Sequence, residues 1–471
     1  MTHTPTRGAA PDTGGSAAPR AAPRRRAWRE TAERLRASAT TEPGRLRIIG
    51  ATLAVLVVAF GTVTAWQITE RSTAAGDVLN HSARLSADAA EIYRSLADAD
   101  ATVAGGFLVG GQQPKSSESS VRYKKDIEKA TRLITEAAAN SQGSAEARAQ
   151  LTSLNTQLPF YVELVATAQA NNRQGFPLGG AYLRYANEQM RKDGGLLDAA
   201  GKLYAAETAR LGHDYGRAEA LPWAAWALGV TALGALVWAQ RRHYRRTNRV
   251  FNQGMLAASA AGAVVLLWLV VGHTVARTQL DTSYAHGARS MQVLNDARIK
   301  VLQSRGDENL TLVARGSGEK YDTNFNEGMD ALAGEDPEGV GGELARALAL
   351  ADSPEGRAPV EAAIKNVQTW RERHAAARES DDNGDYTTAV ARVIGGLDSD
   401  NNEVEETTEQ SFRAVDDSLE QAVVQEQGEF RKAADDGRGA LSLLPAGAAL
   451  LALLAAAGAV LGIGRRLSEY R

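Results

Sequence analysis

Carboxylates and arginines are the side chains best placed to do chemistry in this 471-residue chain, which has no cysteine. That removes disulfides, thiolate nucleophiles and thiolate metal sites. The seven histidines are scattered and form neither H-x-x-x-H nor H-E-x-x-H, so zinc hydrolysis has no basis here. Asp398-Ser399-Asp400 and Glu403-Val404-Glu405-Glu406 make a dense acidic run, read as carboxylates along a solvated helix rather than as a cation site. Asp381-Asp382-Asn383-Gly384-Asp385 opens like a calcium loop, but Arg392 stands where that loop needs a bidentate glutamate. There is no phosphate-binding loop, dinucleotide fingerprint or nucleophile elbow. No enzyme, cofactor or resident metal is expected.

Two corners are candidates for partner binding. Asn172–Arg184 reads N-R-Q-G-F-P-L-G-G-A-Y-L-R, in which Arg173, Gly175, Pro177, Tyr182 and Arg184 are the candidate residues. Glycine and proline set a turn, a tyrosine supplies a flat apolar face with a polar tip, and arginine matches carboxylates bidentately. Asp385 and Tyr386 occupy the corresponding corner further along. The structural reading, a helix-helix corner, outweighs recognition for the turn taken alone.

These corners lie between four uncharged runs, Ile48–Thr69, Leu221–Gln240, Val250–Ala276 and Gly439–Gly464. A bilayer core of about 30 Å needs about 20 helical residues, so each run suffices to cross. Residues 1–47 hold ten arginines against four acids, residues 241–249 hold five arginines and no acid, and Arg465-Arg466 follow the last run. The positive-inside rule puts these segments and both termini in the cytoplasm, with 70–220 and 277–438 outside a plasma membrane. The expected order is a basic leader, largely disordered (1–47), span one (48–69), outer module one (70–220), span two (221–240), loop (241–249), span three (250–276), outer module two (277–438), span four (439–464) and tail (465–471). Ser120 and Ser380 are read as exposed outer positions.

Both outer regions read as helical bundles. Leu85, Ala89, Ile92 and Leu96 follow 4-3-4 spacing, whereas Leu280, Tyr284, Met291 and Leu294 are interrupted at Gly287. Turn clusters at 110–114, 140–144, 173–177, 334–339, 353–356 and 383–385 give about four helices in each region, without sustained strand alternation. Asp100 and Asp307 correspond, as do Pro222 with Pro445 and Arg241-Arg242 with Arg465-Arg466. The fold class is thus an all-α membrane protein, with four transmembrane helices and two extracytoplasmic helical-bundle modules related by internal duplication. An outer helix can run directly into a span, because its backbone bonds stay internal. The copies differ in charge: 70–220 carries 17 basic and 18 acidic groups, 277–438 carries 18 and 33. The acidic copy suits a basic partner surface.

The segment at 172–184, L-T-L-V-A-R-G-S-G at 310–318, D-N-G-D-Y-x-x-A-V at 382–390 and the R-R-L-S-E-Y-R end resemble the GlnX family of actinobacterial membrane proteins. That resemblance covers nearly all of the chain after the leader. It implies a partner for an extracytoplasmic glutamine-binding lipoprotein that senses amino acids such as aspartate and glutamate. It also implies an output to a cytoplasmic Ser/Thr kinase, protein kinase G, directly or through an adaptor. The arginine clusters add anionic membrane lipids as partners rather than nucleic acid, and a homo-oligomer is a further partner arrangement. The expected function is a transmembrane signal transducer. The alternatives are a structural or adhesion-type envelope protein and, less favoured because the spans lack Asp, Glu, Lys and Arg, a transporter.

Overall fold

The computed structural model describes residues 42–109, 114–140, 144–174, 178–247, 252–336 and 340–467. Residues 1–41 of the basic leader and 248–251 lie outside them, as do Gly175 and Pro177 of the first corner; 42–47 of the leader are helical. The described chain is helical apart from turns and one two-stranded hairpin. Four helical stretches are long and apolar enough to cross a membrane, which makes this a multi-pass helical membrane protein with further helices outside its spans.

The chain groups into two compact units. The first comprises the described residues up to Thr62, Trp226–Val265 and those from Ala449 on. Within it Gly458-Ala459-Val460-Leu461-Gly462 presents two glycines one turn apart, against Gly254. A Cβ on Gly254 would fall 2.7 Å from Gly462 Cα, so only glycine permits this approach. Asn252 Nδ2 donates to Gly462 O at 2.6 Å, and Gln240 Nε2 donates to Met255 O and Ser259 Oγ, both at 2.9 Å. Such side-chain amides satisfy polar groups that lipid cannot.

The second unit comprises Val63–Ala225 and Leu266–Ala448. In chain order, α1 is Glu42–Asp77, a π-helical turn covers Val78–Ser82, and α2 is Ala83–Val109. α3 (Pro114–Asn140), α4 (Ala145–Arg173), α5 (Leu178–Arg191) and α6 (Leu196–Glu219) complete the first copy, and α7 is Trp223–Thr247. The second outer region has one more helix and a hairpin. α8 (Gln253–Thr282) leads through a π turn, Ser283–Ala288, into α9 (Arg289–Val313). There follow α10 (Glu319–Ala333), α11 (Gly342–Leu350), α12 (Pro354–Asp382), α13 (Tyr386–Ile394), the hairpin of β1 (Gly396–Leu397) and β2 (Glu403–Val404), α14 (Thr408–Leu441) and α15 (Leu444–Leu467). α4, the third outer helix of the first copy, and α12, the fourth of the second, each have 29 residues.

Helical continuity divides by position within each copy. Gly44–Val109 and Gln253–Val313 are helical throughout, passing from span to outer helix through the π turns. The helices entering spans two and four are instead interrupted at Ala220–Pro222 and at Ser442-Leu443. The nearby prolines explain this, since proline cannot donate to the preceding turn but suits a helix start. Arg71 covers the first break: Nε donates to Ala220 O at 2.6 Å and Nη2 to Leu221 O at 3.1 Å. Gln67 Oε1 accepts from Ala225 N at 3.1 Å, so groups orphaned at both sides of the break find partners on α1.

The two copies share one apolar core. Ile92, Leu96, Leu154 and Leu183 of the first pack in one cluster with Leu302, Phe325, Trp370 and Leu419 of the second. Gly287 interrupts the expected stripe because it sits in a π turn where a Cβ would fall 2.9 Å from Phe430 Cβ. Both π turns are pinned to neighbouring residues of α6. Ser82 Oγ hydrogen-bonds Asp214, and Ser283 Oγ lies 2.8 Å from Tyr215 Oη.

Three expectations need correction. The outer regions hold five and six helices rather than about four: the turn at Asp193-Gly194-Gly195 also divides the first, with Gly194 at φ 74°, and the turn at 314–318 and the hairpin also divide the second. The Asp398–Glu406 run is a hairpin rather than a solvated helix: Asp398 Oδ1 accepts from Asp400 N at 2.9 Å and Asn402 N at 2.8 Å, and Asn401 adopts φ 64°. Those local bonds compete with helix formation. Ser380 is 9% exposed, buried on the inner face of α12.

Candidate functional site

The three internal segments that carry the family resemblance meet at the C-terminal end of α9. Ala314–Gly318 forms a turn in which Arg315 takes φ 41° and Gly316 φ 80°. Tyr386 Oη donates to Leu312 O at 3.3 Å, and the Arg315 guanidinium lies 4.8 Å from the Tyr386 ring centroid. A cation over an aromatic face is attracted by the ring quadrupole. On the α5 side, a Cβ on Gly180 would be 3.9 Å from Val313 Cγ1 and from Arg184 Nη1. Asp385 caps α13, accepting from Thr388 N at 3.1 Å and from Ser399 Oγ. Those donors hold its carboxyl below the usual range. Tyr182 is half-buried against the common core, whereas Arg173 and Arg184 are exposed.

Beneath this corner the charged residues are buried. Arg191, at the end of α5, puts Nε 3.1 Å from Asp100 Oδ2 and Nη1 2.7 Å from Asp307 Oδ1. Asn187 Nδ2 adds a bond to Asp100 at 2.8 Å, and Arg191 Nη2 reaches Gln303 O at 3.1 Å. The corresponding aspartates of the two copies thus hold one guanidinium. Burial pushes both carboxyls upward, and Arg191 opposes that shift.

A second network centres on Glu308. It pairs with Arg305, accepts from Trp370 Nε1 at 3.1 Å and faces His374 Nδ1 at 3.0 Å. His374 Nε2 is 3.0 Å from Asp322 Oδ1, and Phe325 stacks on the imidazole at 3.7 Å. Burial disfavours the imidazolium, but Asp322 and Glu308 outweigh it and raise the His374 pKa. The Glu308 carboxyl is raised by burial and lowered more strongly by Arg305 and His374, for a net decrease. Trp370 and His374 are one turn apart on α12, which puts both on the core face.

Arg305 also lines a cavity of about 620 Å³ at the seam of the copies. Its walls come from α2, α3, α9, the hairpin and α14. Asp98 pairs with Arg122 at 2.9 Å, Arg305 with Glu409, and Arg413 with Glu409 at 2.7 Å. Among the described residues, no three His, Cys, Asp or Glu side chains converge as a metal ion requires.

Sequence reasoning found the correspondence of Asp100 and Asp307 but not the arginine between them. It also passed over Ser304–Asn309, six consecutive polar or glycine residues that are all buried in α9. A run without an apolar stripe inside an otherwise patterned helix was the available signal.

Residues 74–216 match the family model of an actinobacterial sensor domain. That span begins late in α1, contains the first π turn and ends in α6, so the first outer region of this multi-pass membrane protein is similar to a sensor-type domain. No curated protein and no solved structure matches the chain.

Proposed function

We propose that this protein is a plasma-membrane signal transducer with both termini and the 241–249 loop in the cytoplasm and its helical copies outside. Its input is an extracytoplasmic solute-binding lipoprotein loaded with an amino acid, and its output is a cytoplasmic Ser/Thr kinase or an adaptor to it. The observation that carries the reading is the Asp100–Arg191–Asp307 bridge. Its two aspartates lie on α2 and α9, the outer continuations of spans one and three. A partner that binds one arrangement of these helices better than another biases both spans, and differential binding is the whole requirement for transmission.

The corner at the end of α9 is the docking candidate, with Arg173 and Arg184 exposed toward an acidic partner surface and Tyr386 and Asp385 across the turn. Purified chain in nanodiscs is expected to capture a glutamine-binding lipoprotein with an affinity that changes on adding glutamate or aspartate. Arg173→Glu with Arg184→Glu weakens capture while helicity and melting temperature stay unchanged. Capture that ignores the amino acid removes the sensing reading and leaves the structural, adhesion-type one.

A further inference from the structure

We infer that the buried carboxyl of Glu426, set between the start of α12 and the second π turn, is a proton switch for the packing of α14. With the proton on, α14 stays seated against both elements. With the proton off, α14 and the start of α12 move apart. This device acts whether or not the corner at the end of α9 docks a lipoprotein.

Position distinguishes this carboxyl from other buried acids. Glu426 is 2% exposed, and its Oε1 rests on the first turn of α12, where a Cβ on Gly356 would fall 3.1 Å away. One helical turn along the same face of α14, Phe430 fills the π turn. Its carbonyl accepts from Ser283 Oγ at 3.3 Å, and a Cβ on Gly287 would fall 2.9 Å from its own Cβ. Gln253–Val313 passes through that π turn and α14 leads to α15, so one face of α14 bears on the outer continuations of spans three and four.

The charges facing Glu426 are negative. Glu429 of α14 and Asp352 of the connection before α12 both act on it, and among the described residues no basic side chain does. The π turn contributes His286, whose Nδ1 is 2.8 Å from Asp352 Oδ2. Arg357 of α12 is turned to Leu348 O at 3.4 Å and to Glu361 at 3.8 Å. Ser353 Oγ caps α12 by accepting from Gly356 N at 3.0 Å and donates to Glu429 at 2.8 Å, so that helix start is already satisfied. Burial first, and then the Glu429 charge, push the Glu426 carboxyl up to about 7; Ser290 of α9 opposes the shift and Asp352 adds to it.

The first junction supplies the contrast. His81 is the fourth residue of the first π turn, as His286 is of the second, and Glu207 of α6 is likewise 2% exposed. There Arg210 lies 3.9 Å from the carboxylate and, with His81, opposes the effect of burial. Glu426 lacks such a cation, which puts the switch at the second junction. The sign follows from linkage. The folded carboxyl keeps its proton from 4.5, the unfolded value, up to about 7, and above that the seated helix carries an uncompensated buried charge.

The test is the distance between spin labels on cysteines introduced at Ala358 and Gly428, both exposed, in the full chain in nanodiscs at about pH 5.5 and about pH 8.5. One narrow distance is expected at the lower pH and a longer or broader one at the higher, with a midpoint at about 7. Glu426→Gln should hold the low-pH distance at both values. Glu429→Gln should keep the response and move its midpoint to lower pH. A wild-type distance that ignores pH, a Glu426→Gln chain that still responds, or a midpoint unmoved by Glu429→Gln would each overturn the assignment.

Discussion

Arg191 Nη1 and Asp307 Oδ1 lie 2.7 Å apart, so the end of α5 in one copy is ion-paired to the middle of α9 in the other. The same guanidinium holds Asp100; both carboxylates are buried and Arg191 is half-buried. Removing one member strands buried charge, whereas removing all three does not. Arg191→Met is expected to destabilise the outer unit by roughly 3–5 kcal/mol, and adding Asp100→Leu and Asp307→Leu to restore much of it. Denaturant unfolding in detergent, followed by tryptophan fluorescence, measures both. A single variant as stable as wild type would mean the bridge contributes nothing.

The Glu308–His374–Asp322 network makes stability depend on pH in both directions. His374 has a raised pKa in the fold, so its contribution is complete below the unfolded value near 6.5 and is lost as pH rises through the folded one. Glu308 and Asp322 have lowered values, so theirs are present above 4.5 and 3.8 respectively and fade as pH falls. Melting temperature is expected to peak between these limits. His374→Gln should flatten the alkaline limb and also weaken the acid limb, because His374 is the first cause of the lowered Asp322 value and one cause of the lowered Glu308 value; an unchanged alkaline limb would locate the dependence elsewhere.

Orientation can be read chemically, because the chain has no cysteine of its own. Cysteine at Thr152 or Thr387, both exposed, should react with an impermeant maleimide on intact cells. Cysteine at the exposed Tyr244 should react only after permeabilisation. Labelling at Tyr244 from outside would invert the topology.

Leu267 lies in an apolar helix with its side chain 66% exposed within the protein, the pattern of a lipid-facing residue. Leu267→Arg is expected to reduce insertion by about 2.5–3.5 kcal/mol on translocon scales. Thr387→Arg, on the exposed side of α13, should accumulate normally. Equal insertion of the two variants would argue against Gln253–Thr282 crossing lipid.

The spans were legible in the sequence because lipid imposes a composition rule that acts residue by residue. The corners were legible too: Asn383-Gly384-Asp385 is a turn, with Gly384 at φ 81° and Asp385 capping the next helix. The polar core was not, because its partners lie far apart in the chain. Arg191 is 91 residues from Asp100 and 116 from Asp307, and His374 is 66 from Glu308. Charges in such arrangements resemble solvated ones until the fold brings them together. The hairpin escaped notice because each strand has two residues, too few for alternation to register.

The π turns have a consequence for angular phase. Each residue of an α-helix advances about 100° around the axis, so the surplus residue held in a π turn offsets everything beyond it by about that angle. Deleting His286 alone would convert Ser283–Ala288 to ordinary helix and swing the face carrying Arg298, Arg305 and Asp307 by about 100° relative to Gln253–Thr282. Ser283 and Tyr215 therefore fasten the turn that sets which way the buried charges of α9 point.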